Sequence, residues 1–155
     1  MNPLRLVAVH LGAQPWLPRY ARVIVGVDRA IQKLTRGRFT LLTATGLPEL
    51  MLTVAGRKTG VPRTTPLLCM PHDGGWLVAG SNWGNPAPPA WVLNLCAADE
   101  ASVRFRGIDT AVSVRTAEGS ERDALWAVLV ATWPNYDLYA ERIERQIPVF
   151  VLMPK

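Results

Sequence analysis

From residue 56 the chain reads Gly-Arg-Lys-Thr-Gly, and Arg63, Thr64 and Thr65 follow within one strand length. Two cations, a hydroxyl and glycine-flanked amides can hold a phosphate or a carboxylate, because such amides point at the anion while Arg57 and Lys58 neutralise it and Thr59 donates to it. An ordinary solvated β-turn has the same composition. A hairpin here would set Arg63 close to Lys58, and three converging cations repel one another unless an anion joins them. No acidic residue lies between Glu49 and Asp73 to do so. The missing counter-charge therefore points to a ligand that brings it. The spacing is not GxxxxGK, so nucleotide triphosphate hydrolysis is not implied.

Two further stretches carry chemistry. Residues 80–91 form a loop of small and amide side chains (Gly80, Ser81, Asn82, Trp83, Gly84, Asn85) that runs through prolines to Pro89, Ala90 and Trp91. A planar ligand can lie on such a backbone while Ser81 and Asn82 bond its edge; the competing reading is a plain strand-to-helix connection with Pro89 in the first turn and Trp91 anchored in the core. Trp133, Tyr136 and Tyr139 stand three apart, which puts them on one helical face, either as packing or as a substrate wall whose phenols donate hydrogen bonds or protons. Cys69 and Cys96 belong to no CxxC and read as reduced, mostly buried thiols. His10 and His72 support neither a triad nor a metal site, and no metal is expected.

The elements that must position these residues are those of one domain. The 155 residues suffice to bury about 70% of the unfolded surface, and 49% hydrophobic with 19% charged residues excludes overall disorder. No apolar run approaches the ~20 residues that span a bilayer, and no leader is seen, so a cytoplasmic location is expected. The net charge of +5 is uneven: residues 1–38 hold seven basic residues against Asp28 alone. A nucleic-acid binder would spread basic and aromatic residues across the domain, so no nucleic acid is expected. Residues 1–18, with three prolines, read as a loosely ordered tail, and residues 19–155 as a single domain beginning with a basic amphipathic helix over 19–36. That helix is either packed with solvated flanks or, with its apolar tail, a peripheral contact of residues 1–38 with an anionic membrane. Strands are expected over 39–44, 50–55, 63–70, 76–80, 102–106, 111–116 and 149–153, with a tight reversal at 71–75. Helices are expected over 90–97, from an N-cap at Ser120 to Trp133, and over 136–145. Short strands punctuated by turns, with helices at the start, middle and end, argue for a small antiparallel barrel, α+β and mainly β.

Taken in order, GRKTGxPRTTPL, AGSNWGxxxxPAWxLNL, WPNYDLY and RQIPVFVL resemble the deazaflavin-dependent nitroreductase family of actinobacteria over residues 46–155. The resemblance implies a split β-barrel, FMN-binding-like, with flanking helices, and an oxidoreductase that moves hydride from reduced coenzyme F420 to an electrophilic small molecule such as a quinone, an activated alkene or a nitro compound. It assigns Arg57, Lys58, Thr59, Arg63 and Thr64 to the cofactor's phosphate and tail, and Ser81, Asn82, Pro89, Ala90, Trp91 and Asn94 to its ring. Tyr136 and Ser81 would orient the substrate or donate a proton, with Trp83, Trp133 and Tyr139 completing the substrate wall. Some relatives carry Lys at Asn82 and Tyr at Leu68, Val92 and Trp133, so nitroimidazole reduction is not carried over. Trp83 is bulky for that loop and either narrows the pocket or stacks on a ligand. A homodimer is compatible with such barrels. The alternative on the same barrel is a flavin- or haem-type cofactor module without this activity.

Overall fold

The computed structural model describes residues 3–35 and 39–155. Its centre is one antiparallel sheet of seven strands: β1 (Glu49–Ala55), β2 (Pro62–Leu68), β3 (Met70–His72), β4 (Gly75–Ala79), β5 (Glu100–Phe105), β6 (Ile108–Thr116) and β7 (Val149–Pro154). Their spatial order is β2-β1-β5-β6-β7-β4-β3. β2 and β3 lie at opposite edges, yet Cys69 alone separates them in sequence, so the sheet curls until its edges approach. Around it stand α1 (Pro3–Gly12), α2 (Leu17–Leu34), α3 (Leu41–Ala44), α4 (Ala90–Cys96), α5 (Gly119–Thr132) and α6 (Asn135–Glu141).

Alternation along the strands creates two apolar layers. Leu50, Leu52 and Val54 of β1 join Val78, Val103, Val112, Phe150 and Leu152 inside the curl, where α4 covers them with Trp91, Val92 and Leu95. The opposite faces of β4 and β7 send Leu77, Ala79, Val149 and Val151 against Leu125 and Leu129 of α5 and Tyr136 and Tyr139 of α6. Burying each large apolar side chain contributes roughly 1.5–3 kcal/mol. β4 and β7 are thus apolar on both faces and sit in the middle of the molecule.

Several expectations are corrected. Residues 39–44 do not form a strand, because Thr40 and Thr43 close a capping box: the Thr43 N–H donates to the Thr40 hydroxyl at 3.0 Å and the Thr40 N–H to the Thr43 hydroxyl at 2.8 Å. These local bonds override the β propensity of Phe-Thr-Leu-Leu-Thr. The expected strand over 63–70 is broken at Cys69, whose N–H donates to the Pro48 carbonyl. Ser120 lies inside α5, which starts at Gly119 after Glu118. α6 ends at Glu141 rather than 145, leaving Arg145 outside any helix. Cys96 is exposed, while Cys69 is buried.

The expected loose tail is also replaced by structure. Pro3 occupies the first position of α1, where a missing N–H costs nothing. Asn135 Nδ2 donates to the Val9 carbonyl at 2.7 Å, the Tyr139 hydroxyl to the Gly12 carbonyl at 2.8 Å, and Arg5 to the Thr132 carbonyl at 2.8 Å. Arg142 adds a bond to the Ala13 carbonyl. Gly12 permits this approach, since a Cβ there would stand 2.6 Å from the Trp133 ring and the Asn135 amide. The basic helix runs over Leu17–Leu34, and Arg36 and Arg38 lie outside the described residues. Gly12→Ala should therefore lower stability by about 1–3 kcal/mol. Thermal melts check the loss, and hydrogen exchange should accelerate across α1 while leaving β5 and β6 protected.

Candidate functional site

β4 ends at Ala79, and the next residues turn sharply. Gly80 and Ser81 lead into a 3-10 turn, Asn82–Gly84, in which Asn82 (φ 47°) and Trp83 (φ 51°) adopt left-handed backbone. Such a conformation costs of order 1 kcal/mol per residue and persists only where surroundings impose it. Arg145 imposes it. Its guanidinium donates to the carbonyls of Gly80, Ser81, Asn85 and Pro86 at 3.1–3.2 Å. The Asn82 amide adds a brace to the Ala87 carbonyl at 2.9 Å. Sequence reasoning placed Arg145 at the end of a helix and missed this clamp; the signal available was an Arg flanked by Gln146-Ile147-Pro148 just before the last strand.

The loop forms one wall of a cavity of about 380 Å³. Ser81, Asn82, Trp83, Pro89 and Trp91 face Trp133, Tyr136 and Tyr139 across it. Thr65 and Leu68 of β2 close a third side, and α2 and α3 cover it with Ile24, Val25, Asp28, Leu41 and Leu42. Three of the named departures, Asn82, Leu68 and Trp133, line this cavity, whereas Val92, on α4, is buried in the interior layer. The aromatic face serves packing and lining together: Trp133, Tyr136 and Tyr139 are all buried and all line the cavity. Their hydroxyls differ. The Tyr139 oxygen is used on Gly12, while the Tyr136 hydroxyl bonds to no group among the described residues. Burial pushes the Tyr136 phenol well above its ordinary value, with Tyr139 and Cys69 adding to the shift. It can donate a hydrogen bond far more readily than it can give up its proton.

The basic turn lies at the other end of β2. Register pairs Val54 with Arg63 and Ala55 with Pro62, so Arg63 stands on the strand and not directly opposite Lys58. The turn closes through the Gly56 N–H to Val61 and the Gly60 N–H to Gly56, with Gly60 at φ 69°. Arg57, Lys58, Thr59, Arg63 and Thr64 are exposed. None of the three cations forms an ion pair among the described residues, and the Thr64 hydroxyl pairs with that of Thr53 at 2.8 Å. The structure does not bring Asn94 or Ala90 to the cavity wall. Asn94 is buried and its side-chain oxygen accepts the Arg57 N–H at 3.1 Å, tying the turn to α4; Ala90 is exposed at the start of α4. Arg63 and Thr65 share one side of β2 two residues apart, about 7 Å, so a ligand seated in the cavity reaches the cations by running along one strand.

A carboxyl completes the site unexpectedly. Glu49, first residue of β1, lines the cavity with Asp28 of α2. Burial raises its carboxyl to about 7, against the opposing effect of the Thr40 hydroxyl and reinforced by Asp28. Glu49 Oε2 is buried without a hydrogen-bond partner. Cys69, pushed up to about 12 by burial and by Glu49, is chemically inert. Among the described residues no group of His, Cys, Asp and Glu is placed to hold a metal ion.

Residues 22–154 match the model of the F420H(2)-dependent quinone reductase family. The chain belongs to that family. It is 30% identical over 141 residues to an F420H(2)-dependent quinone reductase of Mycobacterium tuberculosis (strain H37Rv), spanning 88% of this chain and 95% of the relative. A solved F420-H2 dependent reductase (FDR-A) superposes with a TM-score of 0.63 at 31% identity, covering 68% of this chain and 93% of that one. A second solved structure, described as a domain-swapped dimer, superposes with a TM-score of 0.65 at 27% identity over 81% of this chain and 96% of its own. The curled sheet with flanking helices is the split β-barrel of FMN-binding-like proteins. This reductase is accordingly an oxidoreductase that uses the deazaflavin F420 as hydride donor toward an electrophilic small molecule. The alternative of a flavin- or haem-type module gives way to it.

The residues present suit that cofactor: cations without an ion-pair partner among the described residues stand ready for an anionic tail, and an aromatic cavity lies one strand away for a ring. Because Arg145 holds four carbonyls, Arg145→Ala should destabilise the reductase by about 2–4 kcal/mol in urea unfolding. Arg145→Lys, with three donors and no planar fork, should fall between variant and parent.

Proposed function

We propose that the reductase passes hydride from F420H2 to a quinone-type acceptor held between the 80–86 loop and the aromatic face of Trp133, Tyr136 and Tyr139. The observation that carries this reading is the continuity of β2, which joins cations lacking a counter-charge to an aromatic cavity. One ligand with an anionic tail and a planar head fits that path. Arg57, Lys58 and Arg63 bind the phosphate and tail carboxylates with Thr59; Thr64, already bonded to Thr53, stiffens the strand beside them. Ser81, Asn82, Pro89 and Trp91 lie along the ring, while Asn94 and Ala90 act from behind it by holding the turn and opening α4.

When bound, the reduced deazaflavin supplies two electrons and a hydrogen from carbon as a hydride. The protein's own part is alignment and exclusion of water. The left-handed turn at Asn82 and Trp83 presents the Ser81 hydroxyl and the Trp83 ring to the cavity. Tyr136 directs its unshared hydroxyl at an acceptor oxygen and orients it, and α2 with α3 covers the open side. Trp83 and Trp133 supply flat apolar area against which a quinone ring stacks.

A quinone with an apolar tail resides in a membrane, and the outer surface of α1 and α2 suits such a source. Leu6, Val7, Leu11, Trp16, Tyr20, Val23 and Val27 are exposed large apolar residues, flanked by exposed Arg19, Arg22, Arg29 and Lys33. No helix among the described residues is long and apolar enough to cross a membrane. We assign this face to peripheral contact with anionic lipid, since a second copy docked there would oppose like charges. A homodimer formed elsewhere on the chain is compatible with it.

Two outcomes test the reading. Lys58→Gln should weaken F420H2 binding roughly 5–20-fold in fluorescence titration, or about 1–2 kcal/mol, whereas Arg115→Gln, which removes a cation already paired with Glu121 at 2.6 Å, should leave it unchanged; equal effects sink the role of the turn. Replacing Leu6, Val7 and Val23 with Ser should abolish co-sedimentation with phosphatidylglycerol vesicles. Undiminished sedimentation, or a light-scattering mass showing the face covered by a second copy, overturns the membrane assignment.

A further inference from the structure

Reduction of a quinone by hydride leaves an oxyanion that needs a proton, and the aromatic wall is poorly suited to give one. Tyr136 holds its proton more tightly than a free phenol, Tyr139 is committed to Gly12, and Asp28 accepts at both oxygens, from Gln32 Nε2 at 2.7 Å and the Leu41 N–H at 2.8 Å. Glu49 differs from all three. It lines the cavity and also a second concavity on the outside of the sheet, a wide basic groove walled by Arg29 and Lys33 of α2 and by Arg104 and Arg106 near the β5–β6 turn. Glu49 and Asp28 both line the cavity and repel each other, and among the described residues no other acid lines either space. Glu49 is thus the titratable side chain common to the acceptor cavity and to open water, and its Oε2 is buried with no partner.

We propose that Glu49 is the proton donor of the acceptor site, passing a proton inward to the reduced acceptor and recovering one from water in the basic groove. This inference rests on the quinone-reductase reading. Hydride transfer to the acceptor oxidises the cofactor and leaves the acceptor as an anion. The O–H bond of the Glu49 carboxyl then breaks, an O–H bond forms on the acceptor, and Glu49 remains as carboxylate. Water in the groove returns a proton to it, and the oxidised cofactor releases its own second proton to solvent, so that one quinone and one reduced cofactor yield one quinol and one oxidised cofactor.

The surrounding charges fit this cycle. Asp28 on α2 repels the carboxylate and favours recapture of the proton, Arg29, Lys33 and Arg106 line the groove on the far side, and Arg104 is already neutralised by Asp109 at 2.6 Å. Thr40 at the start of α3 steadies the carboxylate, and Cys69, after β2, stays protonated. Burial first of all, opposed by Thr40 and reinforced by Asp28, poises the carboxyl at about 7, where a general acid both holds and yields its proton near neutrality.

The test uses the full chain, F420H2 and menadione as probe acceptor, with Glu49→Gln as the near-isosteric variant. In the parent, kcat should fall as pH rises through about 7, because the acid is lost there. In the variant kcat should drop about 100-fold and lose this limb, with F420H2 affinity and the circular dichroism spectrum unchanged. A second readout needs no cofactor: carbon-13 NMR of glutamate-labelled protein should show one carboxyl titrating near 7 that is missing from the variant. A variant with the parent's kcat and pH profile overturns the proposal, as does the absence of that titration. A parent that fails to turn over menadione and other quinones while the carboxyl still titrates near neutrality overturns the quinone-reductase reading, and the donor role falls with it.

Discussion

Everything in this reductase hangs on the requirement that β4 and β7 bury both of their faces. Phe150, Leu152 and Val78 must point into the curl, while Val149, Val151, Leu77 and Ala79 must meet α5 and α6. That double burial fixes the helices against the sheet. It also fixes the two chain segments that make the site, because the 80–86 loop leaves the end of β4 and Arg145 precedes β7 by a few residues. Adjacent strands bring a cation and a row of carbonyls together. The strain of the left-handed turn at Asn82 and Trp83 is borne by packing that exists for another reason.

Charge is handled in opposite ways at the two ends of the site. At the β1–β2 turn the cations are exposed, so keeping them unpaired costs little and they remain available to an anionic ligand. At the mouth of the cavity Glu49 is largely removed from water, and the protein answers by holding its proton to about 7 instead of pairing it. On the proposed reading, surface cations supply affinity, while a half-buried carboxyl supplies chemistry. The wall between them is β2 and the first residues of β1.

The N-terminal region adds a third role for the aromatic helix. Trp133, Asn135 and Tyr139 hold α1 through Gly12 and Val9 while the same segment lines the cavity. α2 then crosses over the cavity and supplies Ile24, Val25 and Asp28 to it. The part of the chain with the greatest surplus of positive charge therefore covers the cavity, and its outward apolar side chains lie on the same two helices.

Much of this was legible in residue order. The β5–β6 hairpin and the reversal at 71–75 follow from alternation and turn residues, although most of the strand expected over 63–70 pairs with β1 and not with β4; the cationic turn follows from its composition and missing acids, and the family and cofactor from four motifs in order. These are local properties, set by propensity and spacing along a few residues. The rest depended on parts of the chain far apart in sequence. Tyr139 and Gly12 are 127 residues apart, so no reading of three prolines in the first eighteen residues shows that α1 is tied down. The helix at 41–44 arises because the Thr40 and Thr43 hydroxyls and Asp28 satisfy its backbone better than a strand edge would. Asn94 looked like a ring contact from its place in a motif, yet burial turned it to the Arg57 amide. Glu49 carried no signal beyond being an acid before a strand. Its proton affinity comes from desolvation, and desolvation is decided only when α2, α3 and the sheet close around it.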